Sequence, residues 1–285
     1  MWLPLVTGVD GSVSGLLALD WAVDEASRLA LPLTLVHACT EEPANQPGTT
    51  PPHTPAAHGE SVVAAAKDRA RQRNPQVRVS TEVVPEDAVT ALLNRGRNAS
   101  ALVLGARGRG ELHDLLLGSV SLTVAARAQC PVVVVRKTKA APEGPQERIV
   151  VGIADAASST AAVRFAFRLA DARRCGLEAV MAREPPRRAA DHLHGTTRST
   201  GPDHHRALLD EALDEAARAH PAVAIRRCVV EGPAREVLLE RSATTDLVVV
   251  GAEHRRSRVG LQLGRVSHAL LHYAQCPVAV VPQWH

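Results

Sequence analysis

The sequence predicts an α/β protein built as two tandem open parallel sheets with helices on both faces. Three observations carry this. Apolar runs of strand length alternate with stretches of helical periodicity along the chain. The whole pattern occurs twice. The 285 residues, 45% hydrophobic and 22% charged, suit about two globular domains.

In the first half, Leu5 to Val9 is a short apolar run that reads as a buried strand. Ser14 to Leu29 places Leu16, Leu17, Leu19, Ala22, Val23 and Ala26 at helical spacing. Leu33 to Ala38 is a second strand. Residues 40 to 59 hold five prolines and little apolar content, and read as an exposed loop. Glu60 to Arg73 is a second helix, stopped by Asn74-Pro75. Val77 to Val84 is a third strand and Asp87 to Asn98 a third helix. Ala101 to Leu104, Ser119 to Ala128 and Val132 to Val135 complete the half as strand, helix and strand. The second half predicts strands at 149–153, 177–181, 223–230, 247–250 and 278–281. Its own irregular insert covers roughly residues 183 to 204.

The repeat is explicit in the residues. Gly8 recurs as Gly152, 144 residues on, and Trp21, Val36 and Ala38 fall on Phe165, Val180 and Ala182. Beyond the insert the spacing is 146, so that Gly105-Ala106 falls on Gly251-Ala252, Gly118 on Gly264 and Ser121 on Ser267. Gln129-Cys130-Pro131-Val132 falls on Gln275-Cys276-Pro277-Val278. The domains are therefore expected at 1–137 and 148–285, joined by a polar linker, 138–147, that carries Pro142 and Pro145.

Composition excludes several classes. The net charge is +3, with 33 basic against 30 acidic residues, which is a mixed surface and no nucleic-acid stripe. Aromatic residues are 2% of the chain, too few for a base-stacking platform. No apolar run is long enough to span a bilayer, and the first residues lack a signal-peptide pattern. Five cysteines without a CxxC pair suggest reduced thiols and a cytoplasmic protein, a redox thiol being the alternative. His192, His194, His204 and His205 lie in the second insert without companion ligands at metal spacing, so no metal site is expected. Gly11-Ser-Val-Ser-Gly15 has Val13 where a nucleophile elbow needs serine. No P-loop is present, and no GxGxxG comes after the first strand.

Ligands of open α/β sheets bind at the carboxyl ends of the strands. Two loops stand out there in the first half. One is Asp10-Gly11-Ser12 after the first strand. The other runs from Gly105 through Arg107, Gly108 and Arg109 to Gly118-Ser119-Val120-Ser121. Gly105 lets the chain leave the sheet without a Cβ. Gly108 offers a positive φ and close backbone approach. Gly118-Ser119 opens a helix whose free N–H groups and positive dipole end favour an anion. Arg107 and Arg109 could grip phosphates or be solvated. Asp10, an acceptor, suits a ribose or base. Ser119 also reads as a plain helix cap, and Asp10 as a helix-entry acceptor.

The pattern Gly105-x2-Gly108-x9-Gly118-Ser119, with Val9-Asp10-Gly11-Ser12 before it and Cys130-Pro131-Val132 after it, resembles the ATP-binding signature of the universal stress protein family. The resemblance implies sheets of order 3-2-1-4-5, an adenine-nucleotide-alpha-hydrolase-like topology, and ATP, with Mg²⁺, at the switch point. It places His37 and Ala38 near the base. It also implies an internal pseudo-dimer of the two halves, leaves a homodimer open, and suggests a regulatory role in stress or dormancy with a protein partner of unknown identity. No membrane or nucleic-acid partner is expected. The second half keeps Gly251 and Gly264, but His254 replaces Gly108, Arg265 replaces Ser119 and Ala154 replaces Asp10. Asp155 could stand in for Asp10 if the strand bulges, and Arg255, Arg256 and Arg265 could hold anions by charge. ATP is therefore expected in the first half. No general base is identifiable, so sensing is expected over turnover. The alternatives are a scaffold with relic sites, or a slow ATP hydrolase.

Overall fold

The computed structural model describes residues 3–40, 55–108, 117–136, 148–183, 202–253 and 263–283. These fall into two compact units, residues 3–136 and 148–283. The linker at 138–147 lies outside the described residues.

The first unit runs β1 (Leu5–Gly8), α1 (Val13–Arg28), β2 (Leu33–Ala38), α2 (Pro55–Arg73), β3 (Val79–Val84), α3 (Ala88–Gly96), β4 (Ala101–Gly105), α4 (Ser119–Arg127) and β5 (Val132–Val135). Its strands form a parallel sheet in the order β3-β2-β1-β4-β5. Both β4 and β5 are buried along their whole length. That is why they read as unbroken apolar runs with no polar alternation. Helices α1 and α2 pack on one face of the sheet, α3 and α4 on the other.

The second unit runs β6 (Arg148–Gly152), α5 (Ala156–Arg173), β7 (Gly176–Arg183), α6 (Pro202–Ala219), β8 (Ile225–Glu231), α7 (Ala234–Arg241), β9 (Leu247–Glu253), α8 (Arg265–Tyr273) and β10 (Val278–Gln283). Its sheet order, β8-β7-β6-β9-β10, is the same one, again all parallel. The repeat extends to backbone detail. Ala30 (φ 52°) and Arg174 (φ 54°) both take the left-handed conformation that ends α1 and α5. In each, the next amide reaches back, Leu31 to the Ala26 carbonyl at 2.9 Å and Cys175 to the Ala170 carbonyl at 3.0 Å. This is the bond that satisfies a helix's last carbonyls.

Two expected loops are shorter than the composition suggested. Helix α2 begins at Pro55, not residue 60, and α6 begins at Pro202, so His204 and His205 are helical. Proline reads as a breaker, but at the first helical position its missing N–H costs nothing and its φ is already helical. Gly59 is likewise no breaker. A Cβ there would lie 2.8 Å from His37 Cδ2 and 2.9 Å from Val83 Cγ1, so glycine lets α2 settle onto the sheet. His192 and His194 lie outside the described residues. All five cysteines are free thiols. Burial pushes the Cys130 thiol up to about 12 and, aided by Glu178, also raises that of Cys228.

Candidate functional site

The reversal of strand order lies between β1 and β4, and a cavity of about 590 Å³ opens at their carboxyl ends. Its polar wall is built by two loops that lock together. After β1, the Asp10 carboxylate accepts a hydrogen bond from the Ser12 amide through Oδ1 at 2.9 Å. Gly11 takes a φ of 79° to make that turn. Ser12 then caps α1, its Oγ accepting from the Gly15 amide at 3.0 Å. Across from it, Ser14 Oγ accepts from the Arg107 amide at 3.1 Å. A Cβ on Gly105 would lie 2.6 Å from the Ser14 carbonyl carbon and oxygen. A Cβ on Gly108 would lie 3.0 Å from Asp10 Oδ2. The glycines thus let the β4 loop touch the α1 entry, and they leave Asp10 held from one oxygen.

The third wall is the start of α4. Gly118 is its N-cap and supplies no side-chain acceptor. Its own amide donates to the Ala106 carbonyl at 2.8 Å, which closes the loop. The amides of Ser119, Val120 and Ser121 occupy the first turn, where a helix cannot satisfy its own N–H groups. All three residues line the cavity. Such an end attracts an anion through both donors and dipole. The remaining wall is apolar, formed by Val36, Ala38, Leu104, Leu117 and two α3 residues, Ala88 and Leu92.

Ten of the thirteen first-half residues singled out from the sequence line this cavity: Asp10, His37, Ala38, Gly105, Arg107, Gly108, Gly118, Ser119, Val120 and Ser121. Gly11 and Ser12 do not; the first makes the turn and the second caps α1. Arg109 lies outside the described residues. Three roles differ from expectation. Gly108 is not in the left-handed region, where Gly11 and Gly232 are the glycines among the described residues. Ser119 comes after the cap instead of providing it. The buried Ser121 hydroxyl donates to the Gly105 carbonyl at 2.7 Å, so its proton ties α4 to β4. His37 is also committed: Nδ1 stands 2.7 Å from the Val9 carbonyl, which fixes that nitrogen as the donor. Gly15 was missed as a site residue. It lines the cavity, and a Cβ there would lie 2.8 Å from Asp10 Oδ1. The signal was the glycine three residues after the capping Ser12.

The second unit diverges at the same places. Asp155 caps α5, its Oδ1 accepting from the Ser158 amide at 2.8 Å and its Oδ2 from the Ser158 hydroxyl at 2.5 Å. Asp155 is thus engaged through both oxygens, where Asp10 is engaged through one. Gly251 sits inside β9, where a Cβ would lie 2.9 Å from the Ser158 carbonyl oxygen. Gly264 is the N-cap of α8, and Arg265 puts a cation at its positive end. His254, Arg255 and Arg256 lie outside the described residues.

Comparison with known proteins accords with this geometry. The profile of the Universal stress protein family matches residues 1–136 and again 146–282. A universal stress protein of Mycobacterium tuberculosis is 34% identical over 288 residues, covering 98% of this chain and 97% of that protein. A second from the same organism is 31% identical over 289 residues, with 98% and 96% covered. The crystal structure of a universal stress protein from Archaeoglobus fulgidus shares the fold with a TM-score of 0.71 at 14% identity, covering 99% of this chain and 98% of that one. Two family matches end to end, on two sheets of one strand order, establish that the chain is a tandem member of the universal stress protein family.

Proposed function

We propose that the first half binds an adenine nucleotide, ATP with Mg²⁺ as counter-ion, and that the protein acts as a nucleotide-dependent regulator in a stress or dormancy response. The observation that carries this reading is the cavity between Asp10 and the α4 amides. Its volume of about 590 Å³ falls within the range of small-molecule sites. It combines an acceptor and apolar side chains, for a nucleoside, with the first-turn amides of α4, for phosphates. Mg²⁺ would be carried largely by phosphate oxygens and water. Among the described residues no group of three or more His, Cys, Asp or Glu could hold an ion unaided.

Binding is favoured over turnover by what lines the α4 end. At that end Ser119 and Val120 carry no basic side chain and the Ser121 proton is committed to Gly105, while elsewhere in the cavity Asp10 Oδ1 holds the Ser12 amide and His37 Nδ1 the Val9 carbonyl. A second reading applies to the other half. Asp155 is engaged through both oxygens by Ser158 and Arg265 stands at the start of α8, which supports a nucleotide-independent, scaffold-like role for residues 148–283.

The test is to extract and quantify nucleotide from purified, heat-denatured protein, then titrate ATP by calorimetry. About one nucleotide per chain is expected. Gly108→Val should weaken ATP by about 100-fold or more, since its side chain enters the space beside Asp10, while leaving the melting temperature nearly unchanged. A folded protein with no ATP affinity at millimolar nucleotide overturns the proposal.

A further inference from the structure

We propose, resting on the nucleotide reading of the first half, that Ser14 is a positioning residue for the phosphate end of the ligand, acting through the Arg107 amide. Ser14 is not among the residues that line the cavity, whereas its neighbour Gly15 is.

Ser14 stands half-buried in the first turn of α1. Ser12 caps that helix and accepts from the Gly15 amide, so the Ser14 hydroxyl is not needed to start it. Its Oγ accepts instead from the Arg107 amide, 93 residues along the chain, at 3.1 Å. Gly105 makes room for this bond, because a Cβ there would lie 2.7 Å from Ser14 Oγ.

The loop after β4 is pinned at Ala106 from both sides. The Ala106 amide donates to the Val135 carbonyl and its carbonyl accepts from the Gly118 amide, each at 2.8 Å. The bond from Arg107 to Ser14 fixes the next peptide, and so sets where the Gly108 amide stands. A Cβ on Gly118 would lie 3.7 Å from that nitrogen, and one on Gly108 would lie 3.0 Å from Asp10 Oδ2. Gly108 is therefore held between the Asp10 carboxylate and the start of α4. Its amide has no acceptor among the described residues. An open N–H beside the first turn of α4 adds a donor to an anion site. The second half uses the same serine differently. Ser158 occupies the place of Ser14 and Asp155 the place of Gly11, each 144 residues on. There the hydroxyl donates to Asp155 Oδ2 at 2.5 Å. Gly11 offers no such carboxylate, and Ser14 is turned to the loop.

The experiment titrates ATP by calorimetry, and adenosine by amide chemical shifts, into the full chain as wild type, Ser14→Ala and Ser14→Cys. Alanine preserves the helix, and cysteine preserves the volume but is a weak acceptor. Both variants should bind ATP about threefold to tenfold more weakly, the scale of one lost neutral hydrogen bond, while adenosine affinity stays within about twofold of wild type. The Arg107 amide should exchange faster with solvent in both variants before nucleotide is added. Unchanged ATP affinity in Ser14→Ala overturns the proposal, as does an equal loss for adenosine, or a Ser14→Cys chain that binds ATP like wild type. Folded wild-type protein that binds neither ATP nor adenosine overturns the nucleotide reading itself, which keeps the two failures distinct.

Discussion

The loops after β4 and β9 begin alike and then part. Each strand carries a glycine pressed against the entry of a helix, Gly105 on Ser14 and Gly251 on Ser158. In the first half β4 ends at that glycine, and Gly108 is then brought beside Asp10. In the second half β9 continues for two more residues to Glu253, with Ala252 opposite Pro282 and Glu253 opposite Gln283 of β10. The contrast separates two meanings of one motif. The first glycine serves helix-to-sheet packing and is kept in both halves. In the first half the next described residues of the loop build the pocket wall. Retention of Gly251 is thus fully accounted for by packing, whereas Gly108, Gly118 and Ser119 belong to the cavity itself.

The sharpest way to break this comparison is to add one methyl group to each glycine. Gly105→Ala should cost about 1–3 kcal/mol, because the new Cβ meets backbone that cannot rotate away. Gly251→Ala should cost less within the same range, since its nearest atom is at 2.9 Å instead of 2.6 Å. Urea unfolding of the two variants measures both. Equal tolerance at both positions would mean that the glycines are not kept for packing.

A gain in stability is expected in the centre of the first sheet. Thr7 is fully buried in β1, and its hydroxyl has no hydrogen-bond partner among the described residues. The second half places Val151, an isostere, at the equivalent position, equally buried. Thr7→Val should therefore stabilise the protein by about 1–2 kcal/mol by removing an unsatisfied buried group. A melting temperature that falls instead would show that the hydroxyl is satisfied in solution.

These residues also show how far the sequence could be read. Strands 33–38 and 132–135 occur at the predicted ends, because a buried parallel strand is simply an apolar run between breakers. Most of the cavity wall was legible as well, since the spacing of Gly105, Gly108 and Gly118 is a sequence property. Contacts between distant segments were not legible. Nothing local says that Gly59 must yield to His37, that Ser121 is spent on the Gly105 carbonyl, or that Leu92 of α3 reaches the cavity. Gly11, not Gly108, takes the positive φ because the Asp10–Ser12 turn forms there. Proline misled the reading at Pro55, where the same residue that ends helices begins one.

The helix pairs beside the two sheets keep their contacts while exchanging the charges. In the first half Arg69 forks onto Asp20 at 2.7 and 2.6 Å, and Arg73 onto Asp24 at 2.6 and 2.7 Å. In the second, Arg164 stands at the place of Asp20 and Glu215 at the place of Arg69, still paired at 2.7 Å. Asn74 on Ser27 becomes His220 on Asp171. The double exchange Asp20→Arg with Arg69→Glu should thus recover most of what either single change loses, about 1 kcal/mol or less for exposed pairs. Recovery should be incomplete, because Arg73 also lies 3.8 Å from Asp20 and would face the new arginine. Adding Arg73→Ala with Asp24→Arg, the residues that the second half carries there as Ala219 and Arg168, should remove that repulsion without leaving Asp24 unpaired. A double-mutant cycle with no coupling would mean that the ladder is only an arrangement of independently solvated charges.

The smallest expected effect separates α3 from α7. Asp87 caps α3 by accepting from the Val89 and Thr90 amides at 3.1 and 3.0 Å, and α7 has Pro233 there, with no side-chain cap. The hydrogen bonds from Thr90, with those from Val89, hold the Asp87 carboxyl below its ordinary value. A lowered folded pKa means that the ionised cap stabilises α3 at and above the ordinary carboxylate range. That contribution disappears as pH falls through the lowered value. The amide resonances of Val89 and Thr90 should therefore shift with acid in a single titration, ahead of any global unfolding. Asp87→Asn should keep the cap and abolish the titration, because the amide oxygen accepts the same bonds without an ionisable proton. In α7 the amide of Glu236 is bound instead to the Pro233 carbonyl at 2.9 Å, an acceptor that does not titrate. The start of α7 should therefore lack a cap titration of the kind seen at Asp87, checked by the corresponding amide resonances.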